Sequence, residues 1–186
     1  MTLTRRRLIA ALALAAGGAH AQPAASNALP PELASLLPQA RLRGEGRLRF
    51  FGLHIYDIRL WSPADRLAPH WAETPLALEL VYARALQGRQ IAARSMQEMS
   101  RQTPLDDSRA AAWEAELTRL FPDVSAGDRL TGVRQPGAPT RVFHNGQLRG
   151  EWQDPDLSRL FFGIWLAPQT SEPDLRRQLL GPEAGS

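Results

Sequence analysis

The chain of 186 residues contains no cysteine and no lysine. Without thiols it has no disulfide framework, thiolate nucleophile, CxxCH haem attachment or thiolate metal site. Without lysine, all 22 basic residues are arginines, and they are dispersed along the chain rather than clustered. The formal charge of +3 therefore describes no basic face for nucleic acid. Histidine is scarce too. Of the four histidines, the three beyond the N-terminal His20, namely His54, His70 and His144, show neither metal-ligand spacing nor an HExxH pattern, so no metal site is expected. Gly44-x-Gly46 lacks a third glycine at Arg49 and sits inside a strand pattern, which excludes a dinucleotide loop. With no GxSxG elbow and no P-loop, serine hydrolase, NTPase and dehydrogenase readings have no support, and no cofactor is expected.

The N-terminus is read separately from the rest. Thr4-Arg5-Arg6-Arg7 is a basic region, Leu8 to Ala16 is a short apolar run, and Ala19-His20-Ala21 has the small-x-small form of a signal-peptidase site. Residues 1–21 are expected to be a signal peptide, cleaved near Ala21, with a periplasmic product. Thr4 to Ile9 also resembles a twin-arginine signal, so the Sec and twin-arginine routes both stay open. The apolar run is about half the roughly 20 residues that a spanning helix needs, so no membrane span is expected after cleavage. Removing the three signal arginines leaves 19 against 19 acidic residues.

The remaining roughly 165 residues suit one domain with a core of its own. Residues 22–40, with Pro23, Pro30, Pro31 and Pro38, read as a flexible leader with one helical turn around Glu32 to Leu37. A domain follows over 41–181, and 182–186 is a tail. Residues 41–61 are the most informative stretch. Leu42, Gly44, Gly46, Leu48 and Phe50 share one parity, whereas beyond Phe51-Gly52 the apolar set shifts to Leu53 and Ile55. No residue there reads as a strand-reversing turn, so a long bent strand with a β-bulge at Phe51-Gly52 is expected.

Leu76, Leu78, Leu80 and Tyr82 alternate with Ala77, Glu79 and Val81, which predicts a strand with one buried face. A helix over Gly88 to Arg101 stops before Pro104; a second, capped by Asp106 or Asp107, sets Ala110, Trp113, Leu117 and Leu120 on one stripe. Strands return at Arg129 to Arg134, Thr140 to Phe143 and Gln147 to Trp152, separated by Pro136-Gly137 and by His144-Asn145-Gly146. Asp123, Gly127 and Asp128 read as turn chemistry. Asp154-Pro155 starts a helix towards Phe162, and Ser171 with Asp174 starts another that ends at Leu180. Trp113 and Trp165 are expected to pack helices on the sheet. Strands and helices are segregated, which predicts an α+β fold, an antiparallel sheet with helices layered on one face.

Four blocks in this order, GRLRFFGLHIYDIRLW, LALELVYAR, LFPDVSAGDRL and FFGIWLAPQTSEPDLRRQLLG, resemble the bacterial chalcone isomerase-like family over residues 41–181. The resemblance implies a large antiparallel sheet covered by helices, with an amphipathic ligand cleft between them. Plant-type chalcone isomerases use an early-strand Arg, which Arg41 or Arg43 could match. Their strand Thr corresponds here to Phe51 or Gly52, and their Lys has no counterpart. The helix after Tyr82 offers Arg89, Arg94 and Gln97 but no Tyr or Asn. Carry-over of the catalytic set therefore largely fails.

Non-catalytic relatives with this fold bind fatty acids through a strand Arg and a later Tyr. Arg43 and Tyr56 have similar spacing, and a bulge between them would return them to one face. A guanidinium and a phenol suit an acyl head group, with Leu and Phe side chains around the tail. Tyr82, Arg84 and Arg94 are further lining candidates beside Arg41. The expected function is non-catalytic binding of a small amphipathic or fatty-acyl ligand. An Arg-centred isomerase or intramolecular lyase, and an envelope protein-interaction module, are the two alternatives.

Overall fold

Alternation at the centre of the chain builds the sheet. On β3 (Leu76–Tyr82), Leu76, Leu78, Leu80 and Tyr82 point to one face while Ala77, Glu79 and Val81 point to the other. The computed structural model describes residues 28–181. In it β3 lies third in a six-stranded antiparallel sheet whose order follows the sequence, with β1 (Arg41–Phe50), β2 (Leu53–Ser62), β4 (Arg129–Arg134), β5 (Thr140–His144) and β6 (Gln147–Trp152). The expected signal peptide and C-terminal tail lie outside the described residues. Among the described residues no helix is long and apolar enough to cross a membrane.

Residues 41–62 are a hairpin, not one bent strand. β1 and β2 pair antiparallel with Phe50 opposite Leu53, and Phe51 (φ 48°) and Gly52 (φ 78°) make the two-residue connection with positive φ at both positions that suits twisted strands. The register irregularities fall elsewhere, at Leu42/Gly44 and Leu48/Arg49. The first carries the change of parity. Leu42 packs on one face with Trp61, whereas Leu48, six residues on, packs on the other with Tyr56. Gly44 and Gly46 lie under α5 (Pro173–Leu180), because a Cβ on Gly44 would overlap the backbone carbonyls of Gln178 and Leu179.

Helices α2 (Gly88–Ser100) and α3 (Asp107–Leu120) join β3 to β4, and α4 (Pro155–Leu166) and α5 follow β6. Asp106 caps α3 by accepting the Arg109 N–H, and Asp154 caps α4 by accepting those of Asp156 and Leu157. These satisfy donors that would otherwise be orphaned at the first turn. The start of α5 differs from the Ser171 expectation: Glu172 is the N-cap and makes no side-chain cap bond. Instead, the Thr170 hydroxyl accepts the Glu172 N–H at 3.1 Å.

Four helices cover the Leu78/Leu80 face, and the main core lies between them and the sheet. The opposite face has a smaller core, Trp61, Ala77, Val133 and Phe143, covered by Leu33 and Leu37 around α1 (Pro31–Leu36). The second half of the expected leader is thus packed structure. Glu32 Oε2 accepts from Arg129 Nη2 at 2.9 Å and Oε1 from the Thr131 hydroxyl at 2.8 Å. Glu79 on β3 accepts from Trp61 Nε1 at 3.0 Å and sits 3.4 Å from Arg129 and 3.5 Å from Arg59, so charge is balanced across that face.

Candidate functional site

The main core is incompletely filled. Between the sheet and helices α2 and α4 is a cavity of about 280 Å³. Its floor is Tyr56, Leu78, Leu80, Tyr82, Leu130 and Val142, its roof is Ile91, Phe161, Ile164 and Trp165, and Leu48 and Phe50 of the hairpin lie at one side. The floor is apolar because alternate residues of β2 to β5 present one face. The roof is apolar because nearly the whole of α4 is buried.

Directional bonds hold the roof in place at its ends. Trp113 Nε1 donates to Asp154 at 2.9 Å, and Trp152 Nε1 donates to the Ser158 hydroxyl at 2.9 Å. That hydroxyl also meets the Thr140 hydroxyl at 2.7 Å. On α2, the Gly88 N–H donates to Asp123 at 2.8 Å, and Gln102, just beyond the helix, donates to the Leu160 carbonyl at 2.7 Å. Gly88 itself has no room for a side chain against the Phe121 carbonyl.

Two phenols lie inside. Tyr56 and Tyr82 are opposite one another on β2 and β3, with ring centroids 5.8 Å apart at 75°. The Tyr56 oxygen accepts from Trp165 Nε1 at 2.9 Å. Burial pushes both phenols well above the ordinary tyrosine range, and the Trp165 bond opposes this only partly at Tyr56. Both are held as neutral hydroxyls, able to donate to an acceptor inside the cavity.

The mouth is ionic. Gln90, Arg94, Ser95, Glu98 and Glu172 contribute to it. Glu98, with a side chain only 5% exposed, pairs with Arg94 at 2.6 Å and Arg101 at 3.2 Å. The Arg94 guanidinium stands 5.6 Å from the centre of the Phe50 ring, close enough for a cation–π contact. Burial, reinforced by nearby Glu98 and opposed by Arg94, raises the Glu172 carboxyl above the usual range.

Of the residues singled out from sequence, Tyr56, Tyr82 and Arg94 line the cavity. The expected pairing of Arg43 with Tyr56 does not form. Tyr56 lies opposite Leu48, whereas Arg43 sits in the irregularity opposite Leu60 and Trp61, about 15 Å along β2 at ~3.3 Å per residue. There it binds the carbonyls of Ser62 at 2.9 Å and Pro63 at 3.0 Å and pairs with Asp65 at 3.2 Å, which fastens the hairpin base. Arg41 is exposed opposite Ser62. Arg84 is exposed in the turn after β3 and lies outside the lining. Sequence reasoning missed Glu98, Glu172 and the α4 lining. The spacing Arg94-x-x-x-Glu98-x-x-Arg101 was a readable sign of the first.

An antiparallel sheet roofed by helices over a partly open apolar cavity is an α+β architecture. Residues 38–181 match the family model described as chalcone isomerase-like, and the chain belongs to that family. A protein of Haemophilus influenzae, described only as uncharacterized, is 30% identical over 128 residues, 69% of this chain and 61% of that one. The chain thus spans less than two thirds of that relative's length. Among solved structures, an Arabidopsis thaliana fatty-acid binding protein superposes with a TM-score of 0.62 at 15% identity, covering 76% of this chain and 87% of that one. At that identity the likeness establishes the fold.

Proposed function

We propose that this protein binds a small amphipathic, acyl-type ligand in the cavity without transforming it. The observation that carries the reading is the cavity itself, apolar on floor and roof and polar at the mouth, the pattern of a site for a molecule with a tail and a head. Its volume equals roughly nine water-sized groups at about 30 Å³ each, room for a chain of medium length. The tail occupies the space over Leu78, Leu80 and Leu130, and the head lies near Gln90, Ser95 and Arg94. The fatty-acid binding named for the Arabidopsis protein supports the same class of ligand. Catalysis of the plant type is disfavoured because the two early-strand arginines, Arg41 and Arg43, lie at the far end of the hairpin from Tyr56.

The test is native mass spectrometry of the protein from its own source, with lipid extraction, and titration with decanoate. Ile91→Trp, which projects a larger side chain from α2 into the void, should abolish a co-purifying acyl species and weaken decanoate binding by about tenfold or more. Arg43→Ala should retain both. Saturable binding unaffected by Ile91→Trp refutes the cavity as the site. The same preparation tests export: the basic and apolar N-terminal pattern supports cleavage near Ala21, and an intact mass beginning elsewhere than near Gln22 refutes it.

A further inference from the structure

The β1–β2 hairpin ends beside the cavity mouth in a tip that is costly for a soluble protein. Phe50, Phe51 and Leu53 are 48%, 91% and 54% exposed, an apolar patch around one turn. Phe51 also occupies the left-handed region at φ 48°, where a bulky side chain is strained and where Asn or Gly would sit more comfortably. Its ring meets that of the neighbouring Phe50, with centroids 4.5 Å apart. The apolar surface is continuous with the cavity, since Phe50 forms part of its lining.

Charge around the tip favours an anionic surface. Arg49 is exposed and meets only the Gly52 carbonyl, at 3.5 Å, among the described residues. Arg94 stands over Phe50. The nearby Asp57 is already shared by Arg47 at 2.6 Å and His54 at 3.2 Å, and Glu98 is shared by Arg94 and Arg101; Glu172 adds one further carboxyl at the mouth.

We propose that this tip is a wedge that inserts Phe51 and Leu53 into an anionic phospholipid surface, setting the cavity mouth against the lipid. Aromatic and leucine side chains beside arginine are the combination that partitions at a bilayer interface. At 48%, 91% and 54% exposure of at most about 250 Å² each, the three side chains offer under about 500 Å², short of the roughly 800 Å² per partner of a standard protein interface. The proposal builds on the cavity as a ligand site, because a lipid surface is then the source or destination of the ligand.

The experiment is flotation of the purified protein with vesicles of phosphatidylglycerol and phosphatidylethanolamine, alongside decanoate titration without vesicles. The Phe51→Asn/Leu53→Ser variant should lose vesicle association about tenfold or more, whereas Leu148→Ser, at an exposed apolar residue on β6, should not. Folding is safeguarded, because Asn-Gly is the preferred pair for this turn, and the variant's thermal midpoint should be no lower than that of Phe50–Leu53 intact. Decanoate affinity should be unchanged. Failure of the unmodified protein to float, or equal flotation of the tip variant, overturns the wedge, including the case where residues 1–27 carry the association. Flotation that depends on the tip without decanoate binding in solution upholds the wedge and removes the cavity reading instead.

Discussion

Glu32→Ala tests how firmly the second face of the sheet is closed. The Glu32 side chain is 1% exposed and accepts two bonds, from Arg129 Nη2 at 2.9 Å and the Thr131 hydroxyl at 2.8 Å. Charge-assisted bonds contribute about 1.5–3 kcal/mol each, and a buried hydroxyl left without a partner costs about 1–3 kcal/mol. Stripping one member from a buried pair reaches about 3–5 kcal/mol when the other charge is orphaned. Arg129 is not orphaned, because its side chain is 24% exposed and keeps Glu79 at 3.4 Å. The expected loss is therefore about 2–4 kcal/mol. Thr131→Val alone should cost about 1 kcal/mol, and the two should combine less than additively because they share a bond. Equilibrium urea unfolding read by tryptophan fluorescence measures all three, and hydrogen exchange at Leu37 and Ala40 reports whether the α1 segment has loosened. A loss under about 0.5 kcal/mol, the range of ordinary surface substitutions, would refute the inference that α1 is bonded structure.

Two further outcomes follow from the geometry. The Glu172 carboxyl titrates above its ordinary 4.5 chiefly through burial, so the folded state holds its proton to a higher pH than the unfolded chain does. Stability contributed by this group is complete below about pH 4.5 and is lost as pH rises through the raised value; Glu172→Gln should flatten that decline in thermal midpoint between pH 4 and 7, and an unchanged slope would refute it. Gly44→Ala should cost about 3 kcal/mol in urea unfolding, at the upper end for overpacking, because the new Cβ meets α5 backbone, whereas Gly132→Ala meets the Phe162 and Phe161 rings at ordinary distances of 3.4 and 3.7 Å and should be nearly neutral. Equal costs for the two would refute the role of Gly44 in seating α5.

What could be read from the chain was what neighbouring residues decide among themselves. The alternation of β3, the Asn145-Gly146 hairpin and the caps at Asp106 and Asp154 are local, and each element stands where its signals put it. The opening hairpin was misread because Phe51 is a poor turn former; only Gly52 has the positive φ that its residue type advertises. Gly44 and Gly46 look like weak positions in a strand until α5, more than 120 residues later, is laid across them. The helical turn around Glu32 to Leu37 is legible from the spacing of Leu33 and Leu37, but its packing onto the sheet is not, because Glu32 bonds to Arg129 at a separation of 97 residues. Arg43 and Tyr56 matched a spacing, and spacing cannot say which of two irregularities in β1 resets the face.

The cavity follows from how the two faces of the sheet are finished. Interiors normally close to crystal-like density, and a void forfeits contacts along its lining. On the Trp61 face α1 covers a small core beside a balanced ion network. On the Leu80 face the helices are fixed at their ends by bonds of defined direction: Gly88 to Asp123, Gln102 to Leu160, Trp152 to Ser158 and Trp165 to Tyr56. Collapse of the roof onto the floor would break these bonds and leave buried donors unpaired, at about 1–3 kcal/mol each. Four such losses, about 4–12 kcal/mol, offset the roughly 7 kcal/mol that closing a void of about 280 Å³ would recover at ~24 cal/mol per Å³. Burial of Tyr56 and Tyr82 as neutral hydroxyls puts two donors on the floor, and one of them, Tyr56, is itself tied to α4 by accepting from Trp165 Nε1 at 2.9 Å.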